Sequence, residues 1–493
     1  MIRKGMGIAV RVAGFVIASF LLVAVTLIVA RAMALRDGPG LEWWHTAVIT
    51  SEFREQDRET ITNLDQYLEN EAAVFDELRA MEAINAGGGN ELRLNRFRQD
   101  SPSYPVKSGH NLNRSAVMRP SNVRGGVLLL HGMTDSPYSL QHLASMFYQK
   151  GYYVLNMRMP GHGTIPAELD RIQWQDWDQA VRLGAKHVAG QIEAGQPFYL
   201  LGYSNGASLA LKYSMDSIDD AGLRTPDHVF LLSPMIGVDP LARFSALFNW
   251  LGRIEYFRQS RWLETYPEYD PHKYNSFPMN AALQSYRLTT KVKEQLQRMA
   301  KNGGLRQMPP IMTFQSLVDK TVATSAIVDT LYEKLPENGS ELVVLDANRL
   351  GGLEEFMQPR HKLLLNRIMN EGSGKYAVSV VTNRTPEDQS MLELKQLAGV
   401  PGFTERPLDY AWPENVYSLT HVALPFPLDD QVYGLESAKV DGGFPHLGQV
   451  YMVGENGALI LPPALLQRLR SNPFYGYIEE RLGEAVDRVR AGD

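Results

Sequence analysis

The sequence predicts an α/β protein with a mostly parallel central sheet and helices on both faces. Short, continuously apolar runs of strand length recur at Gly126–His131, Tyr152–Asn156, the start of Phe198–Gly206, and His228–Ser233. Helix-length stretches lie between them at Ser139–Lys150, Asp176–Ala194 and Ala207–Ser217, and that alternation is the pattern of a parallel sheet. The third observation is local: the apolar run Phe198–Leu201 ends abruptly in Gly202-Tyr203-Ser204-Asn205-Gly206, a buried strand turning sharply into a helix with a serine held at the turn.

Composition bounds the rest. The chain has 493 residues, enough for one enlarged domain with insertions. It is 44% hydrophobic and 21% charged, with a formal net charge of −6, so it reads as an ordinary folded globule with no basic excess for nucleic acid. The absence of cysteine excludes disulfides, thiolate nucleophiles and Cys-zinc sites, and leaves the redox compartment open. No H-E-x-x-H or similar spacing is present, and neither a metal nor a cofactor is expected.

In chain order, Val12–Ala30 is an uncharged run of 19 residues between Arg11 and Arg31, preceded by Arg3 and Lys4. It is long enough to cross about 30 Å of hydrocarbon as a helix. Residues 1–36 are therefore expected to anchor the chain in a membrane, with the charge bias favouring a body outside the cytoplasm. Ala32-Met33-Ala34 also has the small-x-small form of a signal cleavage site, although the apolar run exceeds the usual signal-peptide length. Trp43-Trp44 suits either a membrane interface or a groove in the protein. Residues 41–90 read as a helical spacer: Ile61, Leu64, Leu68, Phe75 and Leu78 recur at helical spacing between about Glu52 and Ile84, a stripe to pack on the body or to stand as a spacer, and Gly87-Gly88-Gly89 ends it. The remaining residues, 91–493, form the expected catalytic domain, starting with loops and short antiparallel strands.

The physical logic of G-x-S-x-G is specific. Glycines two residues to either side of Ser204 let strand and helix approach without a Cβ clash, so that Oγ projects above the sheet edge near the helix N-terminus. Together with His131-Gly132-Met133 and Pro160-Gly161-His162-Gly163, in this order and at these separations, the motif resembles the α/β-hydrolase superfamily. The branch it is most similar to is that of monoacylglycerol lipases, lysophospholipases and bacterial carboxylesterases. The resemblance spans about 125–240, resumes near Pro309, and does not cover the N-terminal part. It implies a cap over the site at the insertion 239–307, which carries Phe244, Phe248, Trp250, Tyr256, Phe257, Trp262, Tyr266, Tyr269, Tyr274 and Phe277. An aromatic lid, expected to be helical, suits an acyl or lipid substrate, and these rings equally suit a core of the lid's own.

A serine hydroxyl needs a base to take its proton, and the base needs an acid to fix its tautomer. In this fold the order is Ser, acid, His, and the acid is expected just past the strand Pro310–Ser316, where Asp319 resembles the family acid; Asp346 is the fallback. Of His361, His421 and His446, His421 in Ser418-Leu419-Thr420-His421-Val422 resembles the family histidine loop. The resemblance assigns the backbone N–H groups of Met133 and Asn205 to the oxyanion, and leaves His131 and His162 to brace their own loops. A helix Ala323–Leu335 and a strand Glu341–Asp346 follow the acid. A second insertion, 348–416, separates it from His421; Ala377–Thr382 reads as a strand and Thr385-Pro386-Glu387-Asp388 as a helix start. Pro462–Val489 reads as helical and is expected to pack back on the sheet. The expected activity is hydrolysis of carboxylic esters with an apolar acyl chain, monoacylglycerol-like or lysophospholipid-like, through Ser204, His421 and Asp319. A thioesterase, amidase or acyltransferase would use the same residues, and a membrane-tethered scaffold would keep the fold without turnover.

Overall fold

The computed structural model describes residues 40–86, 92–107, 109–237, 254–370, 374–436, 446–449 and 462–491, with isolated residues elsewhere. The expected anchor Val12–Ala30 lies outside the described residues save for isolated positions. Among the described residues no helix is long and apolar enough to cross a membrane.

One sheet of ten strands organises the fold. In chain order its strands are β1 (Ala116–Met118), β2 (Gly125–Leu130), β3 (Tyr152–Met157), β4 (Phe198–Tyr203), β5 (His228–Leu232), β6 (Ile311–Ser316), β7 (Glu341–Leu345), β8 (Ala377–Thr385), β9 (Asp388–Gln396) and β10 (Thr404–Ala411). They lie in the spatial order β10-β9-β8-β7-β6-β5-β4-β2-β3-β1. Strands β2 to β8 pair in parallel, while β1 on β3, β9 on β8 and β10 on β9 are antiparallel. The central strands read as unbroken apolar runs because both faces are covered. Alternate residues of β2 face opposite layers: Leu128 and Leu130 join one core, Val127 and Leu129 the other.

The first layer contains α3 (Trp174–Gly190), α4 (Asn205–Asp219) and α5 (Met279–Asn302). The second contains α2 (Gln141–Gln149) and the C-terminal helix (Tyr475–Ala491), whose Tyr477, Ile478 and Leu482 join the core on that face of the sheet. Arg481 of that helix clamps the sheet extension, pairing with Glu341 of β7 at 2.8 Å and with Glu393 of β9. The expected continuous helix over Pro462–Val489 is thus two pieces, Pro463–Leu466 and Tyr475–Ala491. The turn at Ser471-Asn472-Pro473 breaks it, because proline disfavours helical geometry in the residue before it and has no N–H to donate.

Three further expectations are corrected. The 41–90 stretch does not stand off as a spacer. Its helix α1 (Leu64–Asn85) is preceded by a loop and a short 3₁₀ turn, and Phe53, Leu64 and Tyr67 join the main core. Arg158, fully buried at the end of β3, is held by Glu52 at 2.9 Å and Glu71 at 3.3 Å, while the Tyr67 hydroxyl donates to its carbonyl at 2.8 Å. Trp44 is buried and stacks on Phe97 with 5.2 Å between ring centroids, so the tryptophan pair packs in a protein groove.

The expected helical lid 239–307 divides. Its second half, α5, is a body helix packed against α3 and α4, with Leu288, Val292 and Leu296 in the main core. The described part of the cap is a 3₁₀ turn, Glu255–Arg261, followed by the small antiparallel pair Trp262–Glu264 and Phe277–Pro278 with their connecting loop. Phe244, Phe248 and Trp250 lie outside the described residues.

In the second insertion the strand at 377 is present and runs on to Thr385, and a helix (Pro359–Asn370) precedes it. Thr385-Pro386-Glu387-Asp388 does not start a helix; it is the hairpin between β8 and β9, with Thr385 opposite Asp388. The Thr385 hydroxyl accepts from the Glu387 N–H and the Asp388 carboxylate from the Ser390 N–H, the local bonds that also cap helices.

Candidate active site

The described site lies at the carboxyl ends of the parallel strands, where open α/β sheets form their crevices. Ser204 follows β4 at φ +53°, ψ −111°, a conformation that side chains rarely adopt. The flanking glycines are sterically required. A Cβ on Gly206 would come within 2.0 Å of the Leu130 carbonyl oxygen, and one on Gly202 within 2.5 Å of Ala207 Cα. Strand, turn and helix are pressed so closely that only hydrogen fits at these two positions.

Ser204 Oγ donates toward His421 Nε2 at 3.0 Å, and His421 Nδ1 donates to the Asp319 carboxylate at 2.9 Å. All three side chains are buried, with Ser204 6% exposed. Asp319 sits three residues past β6 and accepts four further bonds: from the N–H groups of Thr321 (2.7 Å) and Val322 (3.0 Å), the Ser233 hydroxyl (3.0 Å) and the Gln315 amide (3.3 Å). Burial works to push its pKa up, but the His421 ring and the Val322 and Thr321 N–H groups outweigh it and hold the carboxyl below the ordinary range.

The insertion 348–416 does not displace His421, because its loop is tied to the strand ends. Ser316 Oγ donates to the Leu419 carbonyl at 3.0 Å, the Tyr203 hydroxyl to the His421 carbonyl at 3.3 Å, and the Thr420 hydroxyl to the Leu469 carbonyl. Tyr203 also stacks on the imidazole. Asp346 stays outside this group, bonded to Thr382 and Arg349. His361 lies in the first turn of the Pro359–Asn370 helix, and His446 directly precedes the short 3₁₀ segment Leu447–Gln449.

Asn205 follows the serine as the first residue of α4 and Met133 lies in the loop after β2, and neither amide donates in the turns and loops of the described residues. His131 braces the first of these loops: Nδ1 donates to the Gly132 carbonyl at 2.9 Å and Nε2 accepts from the Met159 N–H at 3.0 Å. Burial drives its pKa far down, which keeps the ring neutral and in that tautomer. His162 donates to the Pro160 carbonyl and is pushed down to about 4 by burial. Both act within their own loops.

The cap closes over the same region. The Tyr274 N–H donates to the Thr134 carbonyl at 2.9 Å, its hydroxyl accepts from the Thr164 N–H at 2.7 Å, and Lys273 pairs with Asp135 at 3.2 Å. Sequence reasoning missed Ser233, Gln315 and Tyr203 as supports of the acid and base. Tyr203 stood inside the serine motif and was the one legible signal among them.

This arrangement defines an α/β-hydrolase: a serine on a strained strand-to-helix turn, a histidine within hydrogen-bond reach, and an acid behind it. A family model described as Hydrolase_4, serine aminopeptidase, S33, matches residues 121–349. That match and the relatives below make the chain similar to α/β-hydrolases of the monoacylglycerol lipase and esterase branch. The thermostable monoacylglycerol lipase of Bacillus sp. (strain H-257) is 32% identical over 123 residues, which is 25% of this chain and 46% of that relative. The chain therefore spans less than half the length of that curated relative. Among solved structures, one of the metagenome-derived lipolytic enzymes LipS and LipT is 18% identical at a TM-score of 0.37, covering 52% of this chain and 98% of that one. The monoacylglycerol lipase of Paleococcus ferrophilus is 17% identical at 0.35, covering 51% and 96%.

Proposed function

We propose that the protein is a serine hydrolase that cleaves carboxylic esters with an apolar acyl chain, of monoacylglycerol or lysophospholipid type. The observation that carries this reading is the continuous hydrogen-bonded line Ser204–His421–Asp319 at 3.0 and 2.9 Å. Ser204 Oγ attacks the acyl carbonyl while His421 Nε2 takes its proton, and the Asp319 carboxylate holds the ring and stabilises the imidazolium. The N–H groups of Met133 and Asn205 receive the oxyanion, each such donor lowering the barrier by about 3–4 kcal/mol in acyl-transfer enzymes. His421 returns the proton to the leaving alcohol, and a water, activated by the same nitrogen, releases the acyl group.

Turnover of p-nitrophenyl butyrate tests the reading. Asp319→Asn is expected to lower kcat by about 10⁴-fold, with Ser204→Ala and His421→Ala at least as damaging and His361→Ala close to wild type. Loss of activity in His361→Ala with retention in His421→Ala would defeat the assignment of the base. We also infer that Val12–Ala30 tethers the body to a membrane, on its far side from the cytoplasm, the length and charge bias of the run supporting this. A mature chain beginning at Leu35 would contradict the tether in favour of a cleaved signal.

A further inference from the structure

The cleft beside Thr134 and Val422, the chain neighbours of Met133 and His421, holds more charge than an apolar acyl chain needs. Tyr266, Tyr269 and Phe277 give it aromatic walls, and Lys273, Arg468 and Arg470 also line it. Two of these cations are satisfied. Lys273 faces Asp135 at 3.2 Å, and Arg470 faces Asp270 at 3.5 Å with the Tyr269 hydroxyl at 3.3 Å.

Arg468 differs: among the described residues it makes no hydrogen bond and no ion pair. The groups whose field favours its charge are Tyr203, Asp319 and Asp135, and all are engaged, the first with the His421 carbonyl, the second with His421, Ser233 and Gln315, and the third with Lys273. Burial pulls the pKa of the guanidinium down, with Arg470 nearby acting in the same direction. A half-buried cation without a partner is costly, and arginine does not relieve the cost by giving up its proton. Its planar fork of donors matches a carboxylate or phosphate. The break in the C-terminal helix places it here, since Arg468 lies just past Pro463–Leu466.

We propose that Arg468 is a specificity-determining anion-binding residue of this cleft, so that the preferred ester carries a phosphate or carboxylate group close to its scissile bond. The proposal rests on the serine-hydrolase reading and narrows it from apolar esters in general to anionic ones. The aromatic walls would receive the chain, and Arg468 the charged end.

The test uses the full chain and two substrate pairs: 1-decanoylglycerol against 1-decanoylglycerol 3-phosphate, which places a phosphate on the alcohol side, and methyl hexanoate against monomethyl adipate, which places a carboxylate on the acyl side. In at least one pair the anionic ester is expected to have a kcat/KM about tenfold or more above its neutral counterpart, the scale of a charge-assisted hydrogen bond. Arg468→Gln should collapse that ratio toward one, with the change mainly in KM, and Arg468→Lys should fall between. The pair that responds identifies the source of the anion. A fluorophosphonate labelling rate near wild type in Arg468→Gln shows that its fold and serine are intact. Equal turnover within both pairs, or a preference that survives Arg468→Gln, overturns the proposal. Failure of the wild type to cleave any of the four esters would instead remove the hydrolase reading beneath it.

Discussion

At the scale of single residues, the site is a set of groups made competent by what stands behind them. Ser233 sits at the end of β5 at φ +41° and donates its hydroxyl to the same Asp319 oxygen that receives His421. Removing one such bond is worth about 1 kcal/mol, so Ser233→Ala is expected to lower kcat by roughly fivefold with KM little changed; an unchanged kcat would deny it a part in positioning the acid. Asp319 also ties stability to pH. Its folded pKa is depressed, so its contribution is fully present above the unfolded value near 4 and is lost as pH falls through the folded value. The gap in melting temperature between wild type and Asp319→Asn should therefore be constant above about pH 4 and shrink below it; a gap that widened on acidification would contradict that sign. Ser204 was legible in sequence because its signal is local, a strained turn that demands glycines at fixed offsets. Ser233 and Gln315 were not, because nothing near them in the chain records that two strand ends meet at one carboxylate.

Elements show where local chemistry misleads. Thr385-Pro386-Glu387-Asp388 reads as a helix start and folds as a hairpin, since hydroxyl and carboxylate acceptors satisfy free backbone N–H groups in either setting. The outcome is settled by the long-range pairing of β9 with β8 and β10. The helical character expected for the 239–307 insertion holds for α5, but that helix belongs to the body layer with α3 and α4 rather than to the cap. Arg158 makes a similar point for the N-terminal stretch, where only the apolar stripe is legible in the sequence. Glu52 and Glu71 are buried against it. Taking away one partner of a buried ion pair costs about 3–5 kcal/mol, so Glu52→Ala should lower the unfolding free energy by that amount in denaturant titrations. A change below about 1 kcal/mol would mean that the pair behaves as a surface contact.

The whole molecule is a hydrolase sheet extended at both margins. The family match spans residues 121–349, whereas the body also includes α1 on one side and β8–β10 with the C-terminal helix on the other. The parallel core was readable because its strands are continuously apolar and regularly spaced. The margins were harder to read, since short or half-exposed strands carry weaker patterns. If α1 is part of the body, a chain starting at Gly40 should keep ester turnover, and one starting at Gly89 should lose soluble yield and thermal stability by uncovering the Phe53, Leu64 and Tyr67 surface. Equal stability of the two truncations would return residues 41–90 to the role of a spacer.

Every step proposed for this site depends on Ser204 acting as a nucleophile driven by His421. Reaction of the full chain with a fluorophosphonate, followed by intact-mass measurement and peptide mapping, tests it most directly. One adduct per chain is expected, located on Ser204, absent in Ser204→Ala and slowed by about 10³-fold or more in His421→Ala. An adduct on another residue, or labelling indifferent to both substitutions, would contradict it.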